Sequence, residues 1–316
     1  MKKYILISAL ACVCAFASAQ DVTADKLSSV AMPFTRIGRS PVAMGMGNTS
    51  LLETSFTGYS AFGNIAALPF SSNTVDGQVS YQGWAPSSAS ASTNINAGLG
   101  FNISDKIGIS ACFASDKGGN SLLSPSQGVI DKTISSTDMM VGAGFSYRFI
   151  PQLSVGVNAR FMSQKLSEHD PYKSFGIDVL LMSKFDGVKL AAGVTSLGGK
   201  VTSIDSKRYD LPTAASLAAG YENVFGGKHG IDVRAEAEYY FAGGFRAAVG
   251  ASYAFNDIVF LRAGYNFGGV CSNFASVGLG VKFFGVNINA AYLIGNTPAG
   301  GTLCAGLGYS FGKKKK

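Results

Sequence analysis

The sequence predicts an all-β protein, a transmembrane antiparallel β-barrel of about fourteen strands with an N-terminal plug. Three regularities point there: period-2 alternation of apolar residues, connections that alternate between short and long, and aromatics recurring at one end of alternate strands. The clearest alternation runs from Met139 to Phe161. Met139, Val141, Ala143, Phe145, Tyr147 and Phe149 interleave with Gly142, Gly144, Ser146 and Arg148. After Ile150-Pro151-Gln152 the code resumes, with Leu153, Val155, Val157, Ala159 and Phe161 against Ser154, Gly156, Asn158 and Arg160. Side chains on a strand alternate between faces, so this hairpin has one apolar face and one polar or small face. Each arm is about ten residues, enough to cross the hydrocarbon of a bilayer when tilted.

Composition agrees. The chain has 316 residues, 40 of them glycine, with 14% charged residues and a mean hydropathy of +0.22. Beyond the first twenty residues no apolar run is long enough for a membrane-spanning helix. An apolar average without apolar runs is what alternating membrane strands produce.

Residues 1–19 read as a cleaved secretion signal. Lys2 and Lys3 form its basic end, Tyr4 to Phe16 its apolar run, and Ala17-Ser18-Ala19 its cleavage site. A lipoprotein signal built on Cys12 fits poorly, because the apolar run before it would be very short. Formal charge is +7, and it falls to +5 without Lys2 and Lys3 and to +1 without Lys313 to Lys316. A nucleic-acid partner would require basic charge on a folded face, so none is expected. Beyond the signal, Cys112, Cys271 and Cys304 remain, with no metal-like spacing and no disulfide framework.

Residues 20–74 lack period 2 and are rich in small residues; this is the plug. The barrel follows over 75–311, with strands near 75–84, 93–103, 106–115, 137–149, 153–163, 175–184, 188–196, 213–223, 230–241, 245–255, 258–267, 275–284, 286–294 and 302–311. Residues 312–316 are a lysine-rich periplasmic tail. Short connections are Ser104-Asp105-Lys106, Ile150-Pro151-Gln152, Phe185-Asp186-Gly187, Gly226-Gly227, Asn256-Asp257 and Phe284-Gly285. Longer, polar ones lie near 85–92, 116–136, 164–174, 197–212, 268–274 and 295–301. Ala242-Gly243-Gly244 is short where a long one is due. Outer-membrane barrels have short periplasmic turns and longer external loops, whereas a soluble sandwich has no reason to sort them.

Aromatics mark the short-turn end: Phe101, Phe149, Phe185, Tyr221, Phe255, Phe283 and Phe311. Flat amphipathic rings are well solvated at the membrane interface, which explains their recurrence at one end. In the last strand, Gly306, Tyr309 and Phe311 have the spacing of the C-terminal signal that barrel-insertion machinery reads, though Lys313 to Lys316 replace the usual aromatic terminus. Hydrocarbon cannot satisfy an open sheet edge, so the sheet must close. Fourteen strands at about 4.8 Å spacing and about 40° tilt give a backbone diameter of roughly 28 Å. Wall side chains alone cannot fill that lumen, so it is either plugged or open.

Several motifs resemble one family. Arg39-Ser40 with Ala43-Met44-Gly45, Asn64-Ile65-Ala66-Ala67, Val79-Ser80-Tyr81-Gln82-Gly83-Trp84, Phe175-Gly176-Ile177-Asp178-Val179, Thr195-Ser196-Leu197-Gly198 and Leu211-Pro212 occur in this order. Together they resemble the PorV/PorQ family of Bacteroidetes outer-membrane proteins, relatives of the FadL fatty-acid transporters. Ile65 departs from the proline of that pattern. The resemblance implies a FadL-like fold and two possible roles. One is a non-enzymatic component of type IX secretion that offers its loops to secretion proteins or cargo, especially Asp116–Ser136 and Leu197–Leu211. The other is passive uptake of a hydrophobic small molecule across the outer membrane, bound by the plug and released sideways through the wall into the outer-membrane lipid that surrounds the barrel.

Signals for catalysis are weak, and no motif calls for a cofactor. Ser167-Glu168-His169-Asp170 places one histidine among loop charges, where solvation is the ordinary reason for it. Gly45-Met46-Gly47 lacks the third glycine of a dinucleotide fingerprint, and Gly226-Gly227-Lys228-His229 lacks the Ser/Thr of a phosphate loop. The lumen face carries more. Asp232, Arg234, Glu236 and Glu238 project inward from one strand, with Arg246 and Arg262 from the next two; Arg148, Arg160, Asp178, Lys189 and Lys282 add to the lining. With Gly243 at the hairpin centre, Glu238 lies diagonal to Arg246. These charges either pin the plug through Arg36 or Arg39 and Asn64, or form a path for a polar head group.

Overall fold

The first barrel strand pairs with the last, and that closes the sheet. The computed structural model describes residues 30–313 except 88–90, 119–120, 124–131, 135, 166–169, 204–205, 269–272 and 298. The secretion signal, Cys271, His169 and most of the lysine tail lie outside these residues. Among those described, the strands are β1 (Asn73–Trp84), β2 (Ser92–Asn102), β3 (Ile107–Gly118), β4 (Ser121–Leu123), β5 (Lys132–Ile134), β6 (Thr137–Ile150), β7 (Leu153–Lys165), β8 (Tyr172–Phe185) and β9 (Val188–Gly198). They continue with β10 (Val201–Thr202), β11 (Arg208–Tyr209), β12 (Ala214–Phe225), β13 (His229–Tyr240), β14 (Phe245–Phe255), β15 (Val259–Phe267), β16 (Phe274–Phe283), β17 (Val286–Ile294) and β18 (Leu303–Lys313).

Fourteen of these form one closed antiparallel barrel. The pairs β4–β5 and β10–β11 are small hairpins within long connections. Every expected strand is present, and closure adds residues at both ends, since Asn73 lies opposite Lys313. The barrel therefore begins before residue 75 and runs into the lysine tail. The alternation points apolar side chains outward: Leu99 is 46% exposed and Val157 45%. Phe101, Phe149, Phe185, Phe255, Phe283 and Phe311 are exposed on the same outer face at the short-turn end, as an interfacial girdle requires. Tyr309 faces outward with them.

Inside runs residues 30–72. The segment has only short helical pieces: 3-10 helix at Pro33–Arg36, Thr57–Tyr59 and Ile65–Phe70, and one α-helical turn at Pro41–Met44. Such a chain cannot satisfy its own backbone, so the wall supplies partners. Ser80 donates to the Arg39 carbonyl at 2.9 Å, Asn158 to that of Ala61 at 2.8 Å, and Ser154 to that of Ala66. Wall glycines let the segment approach closely. Gly250 and Gly264 face the backbone of Met46 and Gly47, where a Cβ would collide, and Gly47 itself adopts φ +71°. Gly306 instead faces the side chains of Pro41 and Tyr59.

Two sequence expectations are corrected. The β13–β14 turn centres on Ala242, because Tyr240 N–H donates to the Gly244 carbonyl. Glu238 is consequently directly opposite Arg246 rather than diagonal to it. Second, the ends of two proposed partner loops turn inward. Asp116 belongs to β3 and is buried, and Leu211 is buried against Met32 and Phe34.

Candidate functional site

The lumen charges form a ring of pairs around the inner segment. Arg39, 3% exposed, donates to both Asp116 oxygens, with Nη2 2.6 Å from Oδ2, and to Asn96 at 3.1 Å. On β7 and β8, Arg160 pairs with Asp178. Asp178 also accepts from Ser196 N–H at 2.7 Å and Asn158 at 3.1 Å. This network sits at a β-bulge: Ile177 pairs with Leu197, but Val179 pairs with Val194, so Thr195 and Ser196 together face Asp178. Ser196 takes the positive φ of 55° that this bend uses.

Strand β13 contributes the largest cluster. Arg234 Nη2 lies 2.9 Å from Glu53 and 2.6 Å from Asp232, and buried Lys189 reaches Asp232 at 2.9 Å and Glu222 at 3.0 Å. Glu236 accepts from the N–H groups of Ser50 and Leu51 at 2.9 and 3.0 Å. Arg246 bonds Glu236 at 3.0 Å, Glu238 at 2.9 Å and the Asn48 carbonyl. Arg262 donates to Asn289 at 2.9 Å and lies against the rings of Phe56 and Phe260. Burial raises the Glu53 carboxyl, but Arg234 and Lys189 together with the Ser55 N–H outweigh it and hold the group below its ordinary value of 4.5. Burial pushes the Tyr59 hydroxyl up.

Two cavities flank this ring. One, of about 90 Å³, is lined by Arg36, Arg39, Asn64, Arg160, Asp178, Glu238 and Arg246, together with Tyr240 and Glu53. The other, of about 470 Å³, is lined by Glu53, Asp232, Arg234 and Arg262 with Val42, Met46, Phe56 and Phe260. Glu53 lines both. Glu236 holds the Ser50–Leu51 backbone, which lines the first cavity, whereas Arg148 stands apart at the short-turn end, against the Phe70 ring. Lys282 is also at that end, bonded to Asp257 at 3.0 Å.

The sequence expectation named Arg36 and Arg39 as the pinning cations, and they differ. Arg39 is bonded to the wall, while Arg36 lies over the Tyr240 ring, 5.7 Å from its centroid, with Nε and Nη1 lacking hydrogen-bond partners among the described residues. Asn64 acts within the segment: its Oδ1 accepts from Ala66 N–H and its Nδ2 donates to the Leu51 carbonyl, both at 2.9 Å. Sequence reasoning missed Glu53 and Asp116. Glu53 is the only acid in residues 30–72, a signal that was available. Asp116 shares the inward parity of Ser110, Cys112 and Ala114.

Above the Arg160–Asp178 pair the interior becomes apolar, and Asp116, Asp138 and Gln164 face inward one position nearer the long connections. Met32, Phe34, Ala114, Met140, Met162, Val201 and Leu211 form one buried cluster, with Ile37, Phe62 and Tyr172 packed against it.

A closed barrel of fourteen strands with an N-terminal segment bonded inside it has the FadL-like fold. Among solved structures it is similar to the toluene transporter TbuX of Ralstonia pickettii, with a TM-score of 0.60 at 12% identity, covering 88% of this chain and 99% of that one. The toluene transporter TodX of Pseudomonas putida aligns with a TM-score of 0.59 at 15% identity, over 86% of this chain and 98% of that one. A FadL homologue of Pseudomonas aeruginosa gives a TM-score of 0.55 at 13% identity, over 86% and 95%. No family model matches the sequence. No curated protein matches it either.

Proposed function

We propose that this protein is a non-enzymatic outer-membrane channel for the passive passage of small hydrophobic compounds, exported with cleavage of its signal after Ala19. The observation that carries this reading is the apolar, methionine-rich cluster inside the long-connection mouth. The lumen of an aqueous porin is polar and water-filled, whereas Met140 and Met162 are inward-facing and buried. Methionine is flexible and polarizable, and it accommodates apolar guests of varied shape. The similar structures named as toluene transporters agree with an apolar cargo. The secretion role in the PorV/PorQ manner rests on short sequence motifs, and no feature of the lumen favours it.

Uptake by cells carrying the protein in their outer membrane tests the proposal, because the outer leaflet slows unaided entry of hydrophobic solutes. Labelled toluene should enter faster than in cells without the protein, while a hydrophilic sugar should not. Met162→Glu should cut toluene entry by about tenfold, since it places a carboxylate among apolar neighbours. Heat-modifiable migration in detergent gels confirms that the variant barrel has folded. Sugar entry, or toluene entry unaffected by Met162→Glu, would contradict the reading.

A further inference from the structure

At the long-connection end of the barrel strands, outward-facing lysines cluster on one side of the rim. On β3, β6, β7 and β8 the outward apolar residues Phe113, Met139, Phe161 and Phe175 are exposed at that end. Past them on the same face come Lys117, Lys165 and Lys173, all exposed. Register places them together: Lys117 is opposite Thr137, Thr137 is opposite Lys165, and Lys173 is opposite Ser163. One strand separates Lys117 from Lys165, so their backbones are about 10 Å apart. Lys173 is the diagonal neighbour of Lys165, about 7–8 Å away. Among the described residues none of the three has an ion-pair partner. Elsewhere on that rim the outward face presents Tyr81, Tyr239, Phe241, Tyr265 and Tyr292, which carry no charge.

Height along the wall supplies the second observation. At about 3.4 Å per residue and about 40° tilt, Phe161 stands about 21 Å above Leu153 and Lys165 about 31 Å above it. The apolar band of such barrels is about 25 Å tall. The lysine stems therefore cross the upper edge of the belt and deliver their ammonium groups to the head-group layer.

We propose that Lys117, Lys165 and Lys173 form a docking stripe for phosphate-bearing lipid head groups in the leaflet on the long-connection side. This rests on the membrane-barrel reading above. Charge complementarity selects the occupant: the site needs a partner with an anionic head at the rim and an apolar tail along Phe113, Phe161 and Phe175. A lipid supplies both, and its acyl chains occupy the belt already. The stripe turns the β3–β8 side of the barrel toward anionic lipid and leaves the aromatic side indifferent to head-group charge.

Native mass spectrometry of the protein released from phosphatidylcholine nanodiscs doped with phosphatidylglycerol or lipid A tests it. Wild type should retain either anionic lipid in excess of its bulk share. Losing one lysine should lower that excess by about fivefold. The triple variant K117Q/K165Q/K173Q should bind all lipids near parity, while K106Q/K228Q, at the short-turn end, should behave as wild type. Unchanged enrichment in the triple variant, or no enrichment in wild type, overturns the stripe. Failure of the wild-type protein to enter nanodiscs at all overturns the membrane-barrel reading as well, and so separates the two.

Discussion

Arg234 Nη2 lies 2.9 Å from Glu53 Oε2, and this pair joins the wall to the inner segment where the two lumen cavities meet. Glu53 Oε1 also accepts from Ser55 N–H at 2.7 Å and Phe56 N–H at 3.1 Å. One carboxylate thus folds the Ser50–Phe56 turn and anchors it. Glu53→Gln should weaken this anchor by about 2 kcal/mol, because Arg234 keeps Asp232 as its partner. Single-channel recording should show larger or more frequent openings to small ions, with the barrel intact.

The same pair gives the segment a pH dependence of known sign. The folded Glu53 carboxyl titrates below its ordinary value of 4.5, so its contribution is complete above that value. It is lost as pH falls through the lowered one. Proteolysis of the Ser50–Phe56 turn should therefore stay constant near neutral pH and rise only on strong acidification. Glu53→Gln should remove the step contributed by this carboxyl.

Close approach between segment and wall is testable through glycine. Gly264 faces the backbone of Met46 and Gly47, so Gly264→Val leaves no room for a side chain. Displacing that backbone should cost about 1–3 kcal/mol and speed hydrogen exchange in residues 41–49. Gly83→Val is the control, because nothing lies within 4 Å of its added Cβ.

Asn64 closes the turn that begins at Ile65. Asn64→Ala removes both its bonds and leaves the Leu51 carbonyl without this donor. The expected loss is about 1–3 kcal/mol, read as a lower thermal midpoint with unchanged β-sheet circular dichroism.

The barrel was readable from sequence because lipid and lumen impose opposite demands on successive residues. Leu99 and Gly98, or Val157 and Asn158, could not be exchanged without reversing both faces. The short turns were readable for a related reason: residues such as Gly187 and Gly285 take positive φ there. The inner segment was less transparent. It has no periodicity, and its pairings span large sequence separations, as between Arg39 and Asp116. Alternation showed that Arg234 and Arg246 face inward, but it carried no information on which backbone groups they meet. The bulge opposite Asp178 escaped notice because Thr195 and Ser196 disturb the pattern by a single residue.

Everything rests on which way the wall faces. Spin labels at Leu99→Cys and Val157→Cys, in a background lacking the native cysteines and in lipid vesicles, read this out by collision with oxygen and with a water-soluble nickel chelate. Both labels should be readily reached by oxygen, which concentrates in hydrocarbon, and shielded from nickel, while labels at Gly98 and Asn158 should not share that signature. Nickel-accessible labels at Leu99 and Val157, or labels there immobilised within the protein interior, would contradict a lipid-embedded barrel.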